Sequence, residues 1–119
     1  MKNIDLKKLN DEIEQFVKDR DWDQFHSVKN LSMALSVECS EFLEIFQWLT
    51  EDQSNEITND PELLLKAQDE LADIFLYLMR ILSKTNIDLE TVVRNKMRKN
   101  AEKYPVELSK GNSKKYNEF

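Results

Sequence analysis

Glycine occurs once and proline twice in this 119-residue chain. So few backbone breaks leave little room for turn-rich architecture and favour long helices joined by short connections. Cysteine also occurs once, at Cys39, which excludes an intrachain disulfide. With a single histidine, His26, and nothing that places it beside the thiol, Cys39 reads as a small buried apolar residue and not as a nucleophile. The sequence has no uninterrupted apolar run of about 18 residues and no signal peptide, so no membrane partner is expected and the chain reads as a reduced, soluble, cytoplasmic protein. Excess positive charge is missing too: the net charge is −6, which argues against a general nucleic-acid or acidic-membrane binder.

The length allows one domain, residues 1–119. A hydrophobic content of 40% supports a core, but a chain this small buries a limited share of its surface, so exposed apolar helix faces make oligomerisation expected. Periodicity and capping signals predict four helices. The first runs from about Asp5 to Arg20, with Leu6, Leu9, Ile13, Phe16 and Val17 on one stripe. Asp21 to His26 is aromatic and polar without a period and reads as a loop. Ser27 is a suitable N-cap for a second helix to about Leu49. Thr50 to Asn59 reads as an acidic connecting loop. Asp60-Pro61-Glu62 then combines an N-cap, a proline at the first helical position and an acid in the first turn, opening a third helix to about Lys84. Asp88 caps a fourth, which ends near Tyr104 before Pro105, and residues 105–119 read as an extended or partly ordered tail. The fold class is all-α.

Against this background, four acids stand out. Steps of four and three give the second helix the seam Leu31, Leu35, Glu38, Phe42, Ile45, Leu49, and the third the seam Leu63, Ala67, Glu70, Ile74, Tyr77, Ile81. In each, a glutamate occupies a position that packing would give to leucine, and a second carboxylate, Glu41 or Asp73, follows three residues later. Ionised carboxylates facing a helical interior are costly unless they are paired or bind metal. Glu38, Glu41, Glu70 and Asp73 therefore read as an all-oxygen site for a hard cation, Mg²⁺, with Mn²⁺ as a substitute. The competing explanation, two solvated E-x-x-E/D faces, fits poorly with apolar neighbours such as Leu35, Val37, Phe42, Ile74 and Phe75. A di-iron bundle would need Glu-x-x-His, which is absent, and a glycosidase pair would need a sugar cleft that four acids in a small bundle do not offer.

The acidic motif, E-x-x-E, 28 intervening residues, then E-x-x-D, resembles the signature of the MazG-like nucleoside triphosphate pyrophosphatases. The similarity extends along nearly the whole chain toward the dCTP pyrophosphatase branch. It includes RDWDQFH (Arg20 to His26), NLSMAL (Asn30 to Leu35), FQW (Phe46 to Trp48) and DELADIFLYL (Asp69 to Leu78). It continues in the KM…KYP pattern from Lys96 to Pro105 and in SKKY (Ser113 to Tyr116). A departure is Cys39-Ser40, where relatives often carry Val-Gly or similar small residues; it bears on local packing more than on ligation.

The resemblance implies a four-helix bundle of the MazG-like type, assembled as a homodimer or homotetramer. It implies Mg²⁺-dependent hydrolysis of a nucleoside triphosphate to monophosphate and pyrophosphate, with dCTP-like substrates preferred. Glu38, Glu41, Glu70 and Asp73 would hold the metal, with Glu41 and Glu38 as the catalytic carboxylates. Trp22, His26, Trp48 and Tyr77 would form the nucleoside pocket, where aromatic faces stack on a base and histidine reads its polar edge. For Trp22 and His26 simple loop anchoring is the alternative, and for Trp48 and Tyr77 ordinary core packing. Lys96, Asn100, Lys103, Lys114 and Tyr116 are the implied phosphate contacts, although a solvated face accounts for most basic residues of the fourth helix and tail. Alternatives are the same chemistry on dUTP, dATP or a modified base, a non-catalytic helical interaction module stabilised by metal, and a nucleic-acid binder using the basic fourth helix. A phosphoribosyl-ATP pyrophosphatase fits less well, because Asp21 to His26 matches the dCTP branch.

Overall fold

Five side chains start the helices, each accepting a hydrogen bond from a backbone N–H three residues on: Asp5, Ser27, Thr50, Asp60 and Asp88. The computed structural model describes all 119 residues, and they form helices without strands. The elements are α1 (Leu6–Asp19), α2 (Val28–Phe46), α3 (Glu51–Asn55), α4 (Pro61–Thr85), α5 (Leu89–Lys103) and α6 (Val106–Ser109), with single 3₁₀ turns at Asp23–Phe25, Glu56–Asn59 and Tyr116–Glu118. No helix is long and apolar enough to cross a membrane.

The four long helices lie where the periodicity places them, within a few residues, but six helices form. The segment expected to be a loop, 50–59, is a capped turn of helix followed by a 3₁₀ turn. Thr50 accepts from the Gln53 N–H while the Gln53 side chain accepts from the Thr50 N–H, a reciprocal capping box that satisfies two otherwise orphaned donors. The tail gains α6 because Pro105, at the N-cap, sets an extended entry to a short turn. Helix α4 ends at Asn86, which takes the left-handed conformation at φ 55° and returns its N–H to the Leu82 and Ser83 carbonyls. Asp21 adopts a similar φ of 53° and turns the chain out of α1.

Two compact units result, Met1–Asn86 and Ile87–Phe119. In the first, α2 packs chiefly on α4, and α1 also packs on α4. The two seams read from the sequence form this contact: Leu31 is 1% exposed, Ala67 is buried, and the remaining seam residues are all at least partly covered. Met79 on α4 and Ile13 and Val17 on α1 complete the buried apolar set. In the second unit, the rings of Tyr116 and Phe119 each meet Tyr104 edge to face, at 6.2 and 6.0 Å between centroids. Those contacts give order to residues expected to be extended or partly ordered.

The slender core makes a sharp prediction. Replacing Leu31 by Ala should cost about 2–5 kcal/mol, whereas Asp60→Ala, which removes one cap, should cost about 1 kcal/mol. Urea unfolding followed by helix ellipticity measures both; equal losses would mean that the seam is not where the unit is held together.

Candidate metal centre and adjoining cavity

Helices α2 and α4 bring their acids together across the seam. One carboxylate oxygen from each of Glu38, Glu41 and Glu70 lies within 4.8 Å of the others. Glu38 Oε2 and Glu70 Oε2 are buried and accept no hydrogen bond. Such atoms are rare in folded proteins and expensive unless a donor or cation meets them. Burial, followed by the nearby carboxylates of Glu70, Glu41 and Asp73, pushes Glu38 up to about 7. Glu70 is drawn down by its interaction with Glu38, but burial and the charges of Glu41 and Asp73 outweigh this and leave it raised. The two glutamates thus titrate as a pair. No lysine or arginine forms an ion pair with any of them. An all-oxygen, unneutralised donor set of this kind fits a hard divalent cation.

Asp73, one turn beyond Glu70, stands outside the three-carboxylate cluster and borders a cavity of about 280 Å³. Ile13, Phe16, Trp22, Leu76 and Tyr77 supply its apolar wall, and His26 and Arg80 its polar groups. Trp22 meets Phe16 edge to face at 5.8 Å between centroids. The Tyr77 hydroxyl is raised by burial and by the charges of Glu38, Asp73 and Glu41, so the phenol remains protonated beside the acids. On the other side, Glu41 and Glu70 border an open cleft with Glu44, Asp69 and Lys66. The acidic cluster therefore has an aromatic cavity toward Asp73 and solvent access toward Glu41.

Three of the expected pocket residues, Trp22, His26 and Tyr77, meet at this cavity, together with Asp73. Trp48 does not. It is 87% exposed, which removes the core-packing explanation and leaves a large aromatic surface in water. Cys39 is likewise exposed, contrary to the expectation of a buried thiol, because Glu38 rather than its neighbour faces the seam. In the second unit, Lys96, Asn100 and Lys103 fall at helical steps of four and three along α5, all exposed. The Lys103 ammonium lies 4.9 Å from the Tyr116 ring centroid. Lys114 is exposed, and its N–H bonds to Asn112 Oδ1.

One residue of the cavity escaped the sequence reading. Arg80 is only 6% exposed, bonds Asp23 through Nη2 at 2.9 Å, and donates from Nε to His26 Nδ1 at 3.2 Å. Its signal was the same as that of the acids, a charge in the apolar stretch from Ile74 to Leu82.

The family model described as MazG-like matches residues 33–119. The chain belongs to the MazG-like family. It is 36% identical over 115 residues to dCTP pyrophosphatase 1 of Homo sapiens and of Rattus norvegicus, and 37% to that of Bos taurus. Each alignment covers 97% of this chain but 66% of the relative, so the chain spans just under two thirds of their length. Among solved structures, a pyrophosphatase from Archaeoglobus fulgidus superimposes with a TM-score of 0.79 at 32% identity, covering 88% of this chain and 96% of that one.

The raised pKa of Glu38 gives a pH prediction. The folded chain holds this proton more tightly than the unfolded chain, so stability falls as pH rises from about 4.5 to about 7 and levels off above that. His26, lowered by burial and then by the Arg80 charge, acts in the opposite sense, stability rising with pH near its ordinary 6.5. The comparison with Glu38→Gln isolates the glutamate. In chelator, the melting temperature of the wild type should fall relative to that of the variant across this window. Parallel curves would remove Glu38 from the raised pair.

Proposed function

We propose that this chain hydrolyses nucleoside triphosphates to monophosphate and pyrophosphate, with dCTP-like pyrimidine deoxynucleotides preferred. The observation that carries the reading is the juxtaposition of three unneutralised carboxylates, two with buried orphan oxygens, and an aromatic cavity reached through Asp73. Similarity to dCTP pyrophosphatase 1 over 97% of the chain supports the reaction and the substrate class. Glu38, Glu41, Glu70 and Asp73 would hold Mg²⁺, for which Mn²⁺ could substitute. When bound, the ion would neutralise phosphate charge, acidify a water and stabilise the leaving pyrophosphate.

The chain's own groups do the rest. Glu41, the exposed member of the cluster, borders the open cleft and would orient the attacking water and accept its proton. Glu38, in contact with both Glu41 and Glu70, assists it by sharing negative charge and proton. Water oxygen bonds to the α- or the β-phosphorus, and the P–O bond bridging the two breaks. Its electron pair leaves with the pyrophosphate in the first case and with the monophosphate in the second, the products being the same. Trp22 and Tyr77 offer faces for the base, and the cavity, at the small end of ligand sites, suits a single ring. Lys96, Asn100, Lys103, Lys114 and Tyr116 are the proposed phosphate contacts, with residues 1–119 acting as one functional domain. A homo-oligomer, dimer or tetramer, would cover the exposed Trp48, Met33, Leu43 and Leu65, and would complete the four-helix packing. The exposed free thiol of Cys39 suits the reducing cytoplasm.

Pyrophosphate release from a panel of deoxynucleoside and nucleoside triphosphates, with Mg²⁺ and with chelator, tests the reading. Release from dCTP above the others, abolished by chelator, is expected. Glu41→Gln should still bind nucleotide but turn over about 10²–10⁴-fold more slowly. Wild-type turnover by that variant removes Glu41 from the chemistry, and no release from any triphosphate would leave a metal-stabilised interaction module. Sedimentation equilibrium should give a mass of at least two 14.2 kDa chains; a monomer would overturn the assembly.

A further inference from the structure

The loop that carries Trp22 and His26 has few apolar anchors, because Asp21, Asp23 and Gln24 are all exposed. Polar bonds to α4 hold it in place. Asp23 Oδ1 receives Arg80 Nη2 at 2.9 Å and Lys84 Nζ at 2.7 Å, and Arg80 Nε reaches His26 Nδ1 at 3.2 Å. The Asn30 side chain adds a bond to the Phe25 carbonyl at 3.1 Å. Arg80 is the only charged residue in this protein that is buried, and it borders both the aromatic cavity and a polar cleft lined by Glu14, Lys18, Asp21, Asp23, Ser83 and Lys84. An uncompensated guanidinium would be strongly destabilising there, and Asp23 offsets that cost.

The bond to His26 has a definite chemical consequence. A guanidinium nitrogen only donates, and it does not lose its proton in a protein. Nδ1 of His26 must therefore be the bare, accepting nitrogen, which places the single proton of a neutral imidazole on Nε2. The adjacent positive charges of Arg80 and Lys84 disfavour the imidazolium, and the opposing charge of Asp23 is already engaged by both. Nε2–H bonds to no protein acceptor, and the ring borders the cavity. The geometry points to Arg80 as a positioning residue: through Nδ1 it locks His26 as the neutral Nε2–H tautomer, so that the cavity offers a fixed donor to the carbonyl or bare ring nitrogen of a base. Exchange of tautomers would offer an acceptor there instead and would repel that same edge. This role rests on the nucleotide reading for its substrate, but the tautomer itself does not.

His26 is the only histidine, so its ring nitrogens give one unambiguous pattern in a two-bond proton–nitrogen correlation spectrum. In the wild type at mildly alkaline pH, Nδ1 should resonate as a fully bare nitrogen and Nε2 as a fully protonated one. In Arg80→Met, which keeps the volume, both signals should move toward the averaged values of an exchanging imidazole. The KM for dCTP should rise about tenfold, the loss of one hydrogen bond, while kcat changes less than about twofold. Asp23→Asn, which keeps an oxygen to accept from Arg80 but removes its charge, should move both readouts in the same direction by less. A protonated Nδ1 in the wild type overturns the proposal. So do nitrogen signals unchanged in both variants, and so does an unchanged KM beside a released tautomer. Absence of triphosphate hydrolysis by the wild type would refute the enzymatic reading and leave the nitrogen spectrum to decide the lock alone.

Discussion

Mutual repulsion of carboxylates across the α2–α4 seam is the constraint around which the first unit is arranged. Glu38 and Glu70 take seam positions, and each keeps a buried oxygen without a hydrogen-bond donor. In a packed helix pair, leucine at those sites would favour contact, and charge opposes it. The apolar residues on either side, Leu31 and Ala67 above all, must therefore hold the helices together while the acids push them apart. Burial first, and then the neighbouring carboxylates, raise Glu38, and burial with the charges of Glu41 and Asp73 leaves Glu70 raised. A protein that only needed stability would have no reason to keep such a pair, which is why the cluster points to chemistry.

The same helix carries the opposite charge two turns later. Asp73 and Arg80 are seven residues apart on α4 and border one cavity, so a single face passes from an anionic end to a cationic one. The aromatic loop is clamped at the cationic end, and the proposed cation site lies at the anionic end. A nucleotide has a corresponding polarity, with a polar, weakly charged base and a strongly anionic phosphate chain. The order of charges along α4 matches that polarity once a cation has reversed the sign at the acids.

Much of this could be read in the sequence because each device was local. Helix starts were legible at Asp5, Ser27, Asp60 and Asp88, since a cap and the N–H it satisfies lie within four residues. The acidic seam was legible because helical spacing alone puts Glu38 among Leu35 and Phe42. The capping box at Thr50 and Gln53 was present in the sequence but lay in a stretch too short and polar to show a period. The relay from Arg80 to His26 joins residues 54 positions apart, and nothing local announces it. Trp48 shows the converse limit. Its apolar neighbours suggested packing, yet within one chain it faces water, because a stripe on a helix cannot specify what covers it.

The small set of buried apolar side chains, Ile13, Val17, Leu31, Ala67 and Met79, has a thermodynamic consequence beyond mechanical weakness. If copies of the chain supply the missing cover, folding and association are one equilibrium, and stability belongs to the solution as much as to the molecule. Dilution then acts as a denaturant, and accumulation of the protein protects it. Each newly made chain is a poor competitor for the folded state until enough of its kind is present, so abundance itself would switch the fold on.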